Sequence, residues 1–186
     1  MAPVCRASSP TVRCVRTALG SLVGAVGGLT FVLGNAGGLP DGWPWPVRAL
    51  GLLAFLAVLW FAVVRVWDVR DPTPPAPRAV RTYGLSVVGM LLLFPIGNLL
   101  LRAGGRPELT LPWVVLVVGA HFLPMARAFQ APVLRAVGLA LMAVALLGAV
   151  LVLTLGLGWP VSATAVAAGF VLLAAASVGA RRRTVD

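Results

Sequence analysis

Six apolar runs, each long enough to cross a bilayer and separated only by short turns, constrain this chain more than any other feature. A helix needs about 20 mostly apolar residues to span a hydrocarbon core about 30 Å thick. The runs at 17–39, 47–67, 82–101, 111–129, 133–155 and 160–180 meet that requirement. The fold class they predict is all-α: a polytopic transmembrane bundle of six helices with N-terminus and C-terminus both cytoplasmic. Each break carries turn chemistry. Gly37 to Gly42, Gly104-Gly105-Arg106-Pro107-Glu108, Gln130-Ala131-Pro132 and Gly156 to Pro160 close four of them. The fifth, Asp71 to Pro77, is a short Pro-rich linker rather than a domain boundary. One domain is expected, with a basic tail at 1–16, the six-helix domain at 17–180 and a second basic tail at 181–186.

Composition agrees. Of 186 residues, 60% are apolar and 11% charged, against about 25% charged in a soluble domain. A soluble fold of this size leaves too much surface in water to hide such a composition. The net charge of +10 invites a nucleic-acid reading. The pattern rejects it, because the Arg residues sit at the ends of apolar runs and not on a polar face with interleaved aromatics. Arg in that place is a topology signal and a contact for anionic lipid headgroups. All 15 basic residues are Arg, a bias typical of high-GC genomes. The basic start and the run at 17–39 resemble a signal peptide, but the run exceeds the usual apolar region of about 7–15 residues. A retained first span is expected.

Orientation follows from the Arg bias. With the N-terminus inside, the inner side holds Arg6, Arg13, Arg16, Arg65, Arg70, Arg78, Arg81, Arg127, Arg135, Arg181, Arg182 and Arg183. The outer side holds only Arg48, Arg102 and Arg106. Trp43, Trp45, Trp113 and Trp159 then fall at the outer interface, where an amphipathic indole belongs, and Trp67 at the inner one.

Two internal similarities stand out. Gly34-Asn35 with Pro44-Trp45 parallels Gly97-Asn98 with Pro112-Trp113, which would make the first two helices and the next two copies of one hairpin. Pro46-Val47-Arg48-Ala49 parallels Pro132-Val133-Leu134-Arg135-Ala136, which would instead relate helix two to helix five as an inverted repeat. The rarer matching residues favour the hairpin scheme.

His121 is the foremost candidate for chemistry. It is the sole histidine and lies within the fourth run. An ionisable group at that depth is costly and marks a functional site by default. Pro124 removes the helical donor of the Ala120 carbonyl beside it. His121 would serve as a proton relay, ligand contact or gate, or as a neutral imidazole joining two helices. Asn35, Asn98, Asp41, Glu108, Arg48, Arg102 and Arg106 are candidates for a polar cleft that binds a headgroup or small solute, with helix capping and surface ion pairs as the competing account. Gly20, Gly24 and Gly28 form a helix-packing stripe.

Several classes are disfavoured. The spans hold no paired carboxylates for a proton or sodium pump or for Mg²⁺-bound diphosphate. There is no G-x-S-x-G, no Walker loop and no H-E-x-x-H. Ser86, Ser162, Thr164 and Ser177 have no neighbour in sequence that would mark a nucleophile; a partner in space would have to be His121. Cys5 and Cys14 lack the partners of a zinc site and are expected to be reduced thiols if the tail is cytoplasmic. No metal and no cofactor is expected.

The segment Gly119-Ala120-His121-Phe122-Leu123-Pro124, set in six spans, resembles small multi-pass membrane proteins of high-GC bacteria. That resemblance implies a six-span fold in the bacterial cytoplasmic membrane and carries no activity. Three readings follow: a transport-related or channel-like bundle, alone or as a homodimer; a non-catalytic accessory or immunity-type protein that binds a membrane partner or lipid; and a lipid- or isoprenoid-acting enzyme using His121.

Overall fold

In the computed structural model, the described residues are 10–64 and 77–181, with side chains described for 21–61 and 77–178. Six helices make up nearly all of it: α1 Pro10–Asn35, α2 Pro44–Val64, α3 Pro77–Ala103, α4 Thr110–Ala128, α5 Pro132–Leu155 and α6 Trp159–Arg181. Among the described residues there is no strand, and all six helices are long and apolar enough to cross a membrane. This is the fold of a multi-pass membrane protein. Single 3-10 turns, Ala36–Gly38 and Pro107–Leu109, tighten the α1–α2 and α3–α4 connections. The helical backbone of α1 begins at Pro10, ahead of the expected run at 17, and α3 begins at Pro77 rather than 82. The expectations that rest on Cys5, Arg6, Arg65, Arg70, Trp67 and the linker at 71–76, and on the side chains of Cys14, Gly20, Arg13, Arg16 and Arg181 to Arg183, fall outside the described residues.

Helix ends follow local chemistry. Pro44, Pro77 and Pro132 open helices, where the missing N–H costs no helical bond. At the end of α3, Arg106 N–H donates to the Leu101 carbonyl (2.8 Å) and Gly105 N–H to the Arg102 carbonyl (3.1 Å), with Gly105 at φ +70°. This is a Schellman stop, which needs a left-handed residue. The end of α4 repeats it: Ala131 N–H reaches Ala126 (3.0 Å) and Gln130 N–H reaches Arg127 (3.4 Å). There Gln130 takes the left-handed place at φ +50°, and its side-chain amide Nε2 donates to the Arg127 carbonyl at 2.8 Å.

Packing is organised around α6, which touches α1, α2, α4 and α5. Two glycine pairs let backbones meet. A Cβ on Gly28 would lie 2.7 Å from the Gly169 carbonyl, and one on Gly169 would lie 2.6 Å from the Gly28 carbonyl. Gly119 and Gly138 do the same for α4 and α5, at 2.8 Å each way. Lipid tails are as apolar as side chains, so close fit rather than water exclusion drives such contacts. Val115, Val137, Leu141, Ala145, Ala168 and Leu172 fill one core; Ala25, Val32, Val58, Leu173 and Ala176 fill the other.

α3 stands apart. Among the helices of the described residues it packs on α4 alone, and 6% of its spanning residues are buried against 44% of those of α6. Of the expected stripe on α1, Gly28 makes a close helix contact, whereas a Cβ on Gly24 would meet nothing within 4 Å. Among the described residues the seam therefore runs through Gly28 of α1 and its partner Gly169 on α6.

Candidate functional site: the polar seam between α3 and α4

Among the described residues, every side-chain hydrogen bond that joins two different helices lies between α3 and α4. Three clips are spread along the seam. At one end Asn98 Oδ1 accepts from Thr110 Oγ1 (3.3 Å) and from Arg102 Nε (3.0 Å). In the middle, Trp113 Nε1 donates to the Leu93 carbonyl (3.0 Å). The indole can reach that backbone because Gly97 is bare; a Cβ there would collide with the ring. Further along, Ser86 Oγ lies 2.7 Å from His121 Nδ1 and donates to the His121 carbonyl at 3.0 Å.

The third clip fixes a tautomer by proton accounting. Ser86 has one hydroxyl proton. If it goes to the carbonyl, Nδ1 must carry the imidazole proton and donate to Oγ, and both contacts are satisfied. If it goes to Nδ1, the carbonyl contact is lost. The first arrangement makes one more hydrogen bond, worth about 1 kcal/mol. It leaves Nε2 as a bare acceptor. Nε2 has no partner among the described residues, and no buried side-chain nitrogen or oxygen lacks one, so Nε2 reaches the surface of the molecule. His121 is half-buried and its ring tilts against Phe122, 5.3 Å between centroids.

The other expected site residues do not converge on one cleft. Asn35 ends α1, but its Nδ2 donates back to the Phe31 carbonyl of the same helix (2.9 Å). Asn98 does not end α3, which runs a further turn to Ala103. Arg48 lies beside Gly37 and over Trp45, 5.6 Å from the ring centroid. Asp41 is exposed in the α1–α2 turn. Arg106 and Glu108 sit 3.6 Å apart, an exposed pair of little energy. The hairpins α1–α2 and α3–α4 form no packed interface with each other, so their turns remain separate. Among the described residues no group of three or more His, Cys, Asp or Glu is placed to hold a metal.

The sequence left four hydroxyls, of Ser86, Ser162, Thr164 and Ser177, as possible partners of His121, and the structure selects Ser86. Both residues were visible as candidates, but 35 positions separate them, and no spacing rule relates residues on different helices. Trp113, expected at an interface, also proves to be a helix clip. Comparison with protein-family models, curated proteins and solved structures finds no match to the chain.

Proposed function

We propose that this chain is a transport-related or channel-like protein of the bacterial cytoplasmic membrane, in which α3 moves against α4 and the Ser86–His121 clip governs the movement. One observation carries the reading: among the described residues α3 is attached to a single neighbouring helix, and the interhelical side-chain hydrogen bonds all lie on that attachment. Core interfaces built on glycine pairs have one snug arrangement. Hydrogen bonds within membranes average only about 0.6 kcal/mol each, so polar clips are separable. Opening the seam would expose Ser86, His121, Asn98 and Thr110, a polar strip across an apolar protein. Arg78, Arg81, Arg127 and Arg135 on the opposite end from Arg48, Arg102 and Arg106 support the inner-membrane orientation and a role for anionic headgroups. Reconstitution into liposomes with a panel of solutes tests the reading. Flux of at least one solute, changed several-fold by His121→Ala and Ser86→Ala, is expected. No flux under any condition would refute it.

A second reading has its own observation. A serine hydroxyl 2.7 Å from an imidazole nitrogen is the contact of a nucleophile and its base. It supports a lipid- or isoprenoid-acting enzyme. The favoured tautomer weighs against it, since it makes Nδ1 a donor. A fluorophosphonate probe decides: labelling at Ser86 that His121→Ala abolishes would establish this reading over the first.

A further inference from the structure

Both α3 and α5 lie against α4, yet they form no packed interface with one another. A wedge therefore runs along α4 between them. Near the α3–α4 turn it widens into an open groove of about 130 Å³. Leu101 of α3, Leu109 of the turn, Trp113 and Leu116 of α4, and Leu146 and Ala149 of α5 line it, and the lining is wholly apolar. Small-molecule sites begin near about 300 Å³ and carry placed polar groups. This groove has neither property. Its size and chemistry suit a stretch of a single hydrocarbon chain.

Two arginines lie in the same turn as the lining residues Leu101 and Leu109. Arg102 follows Leu101 on the last turn of α3, and the backbone N–H of Arg106 is bonded to the Leu101 carbonyl at 2.8 Å. Both side chains are exposed. Arg102 is oriented by its root: Nε donates to Asn98 Oδ1 (3.0 Å), which leaves the outer fork of the guanidinium free. Asn98 is in turn held by Thr110 (3.3 Å). Glu108 offsets one of the two charges, at 3.6 Å from Arg106. The net charge at this turn is positive, and the same turn lends Leu101 and Leu109 to the open apolar slot.

The geometry points to a binding site for an anionic glycerophospholipid, its phosphate on Arg102 and Arg106 and one acyl chain in the groove over Trp113. Charge selects this occupant over a second copy of the chain, which carries the same excess of positive charge, +10. A free phosphate would leave the groove empty. The site does not depend on movement of α3, so it stands or falls apart from the transport reading.

Trp113 reports on the site directly. In the full chain with Trp43, Trp45, Trp60, Trp67 and Trp159 changed to Phe, the one remaining indole lies in the groove. This protein is reconstituted into phosphatidylcholine vesicles that contain a minor fraction of brominated-chain phosphatidylglycerol, or the same fraction of brominated-chain phosphatidylcholine. Quenching several-fold stronger with the anionic lipid is expected. Arg102→Gln with Arg106→Gln should reduce it to the phosphatidylcholine level, and Ala149→Leu, which fills the groove, should lower quenching by both lipids. Helical circular dichroism confirms that each variant is folded. Equal quenching by the two lipids overturns the proposal, as does indifference to the Arg changes. Absence of quenching by either lipid overturns it too and shows the groove covered by protein. Relief of quenching by inorganic phosphate alone would assign the Arg pair to a free anion instead.

Discussion

Single residues in this bundle do two different jobs. Glycines at the crossings remove atoms so that backbones can touch, and a few polar side chains tie one helix on. The effects of changing them should differ in size. Gly28→Val or Gly119→Val puts carbon against a carbonyl that cannot retreat. Overpacking of that kind costs about 1–3 kcal/mol, to be read from unfolding in mixed micelles. Gly24→Ala, with nothing within 4 Å of its Cβ, should be close to neutral in the same measurement. The Ser86–His121 clip should give a double-mutant coupling of about 0.6–1.7 kcal/mol, the range seen for hydrogen bonds between membrane helices. A coupling near zero would mean that the two groups do not pair in the bilayer. Much of this was only half legible beforehand. Gly28 was recognisable as a packing residue, but Gly24 shares its spacing and lacks its neighbour. Periodicity describes a helix face; it does not say what the face meets.

At the scale of elements, the contrast is between α6 and α3. Both are apolar enough to span, and hydropathy does not distinguish a helix ringed by protein from one bathed in lipid. Sequence length and turn residues were enough to place all six helices, because the requirement of span length leaves few choices. They were not enough to rank burial, which depends on partners. The ranking has a kinetic consequence. Amide hydrogens of α3 should exchange well before those of α6, since local opening there breaks one interface rather than four. Exchange of α3 and α6 at equal rates would contradict this arrangement. The helix stops make a related expectation. Gly105 and Gly156 are left-handed, at φ +70° and +62°. Alanine at either should destabilise by about 1–2 kcal/mol through the Cβ alone, measurable by the same unfolding assay.

For the whole molecule, the antiparallel run of helices brings Trp43, Trp45, Trp113 and Trp159 to one end together with Arg48, Arg102 and Arg106. Arg78, Arg81, Arg127 and Arg135 gather at the other. That asymmetry supports the N-inside orientation proposed above. Impermeant thiol reagents should therefore label Cys5 and Cys14 in inside-out vesicles and spare them in intact spheroplasts. The inverse result would reverse the orientation. The proposed internal symmetries fare differently as guides to architecture. An inverted repeat of three helices would pair α2 with α3 as α5 pairs with α6, and only the second pair is packed. The hairpin scheme is compatible with the packing of α1 on α2 and of α3 on α4, although the Asn that closes each similarity plays a different part in each hairpin.

The tight crossing of α1 with α6 bears on how the chain is made. The glycine partner of α1 lies on α6, which is made only after four further helices. Until Gly169 has been inserted, Gly28 has nothing to fit against, and α1 must wait in lipid with α2 for company. Stop codons placed before α6 should thus yield chains that insert but never close, prey for membrane proteases. Supplying α6 as a separate polypeptide should rescue them.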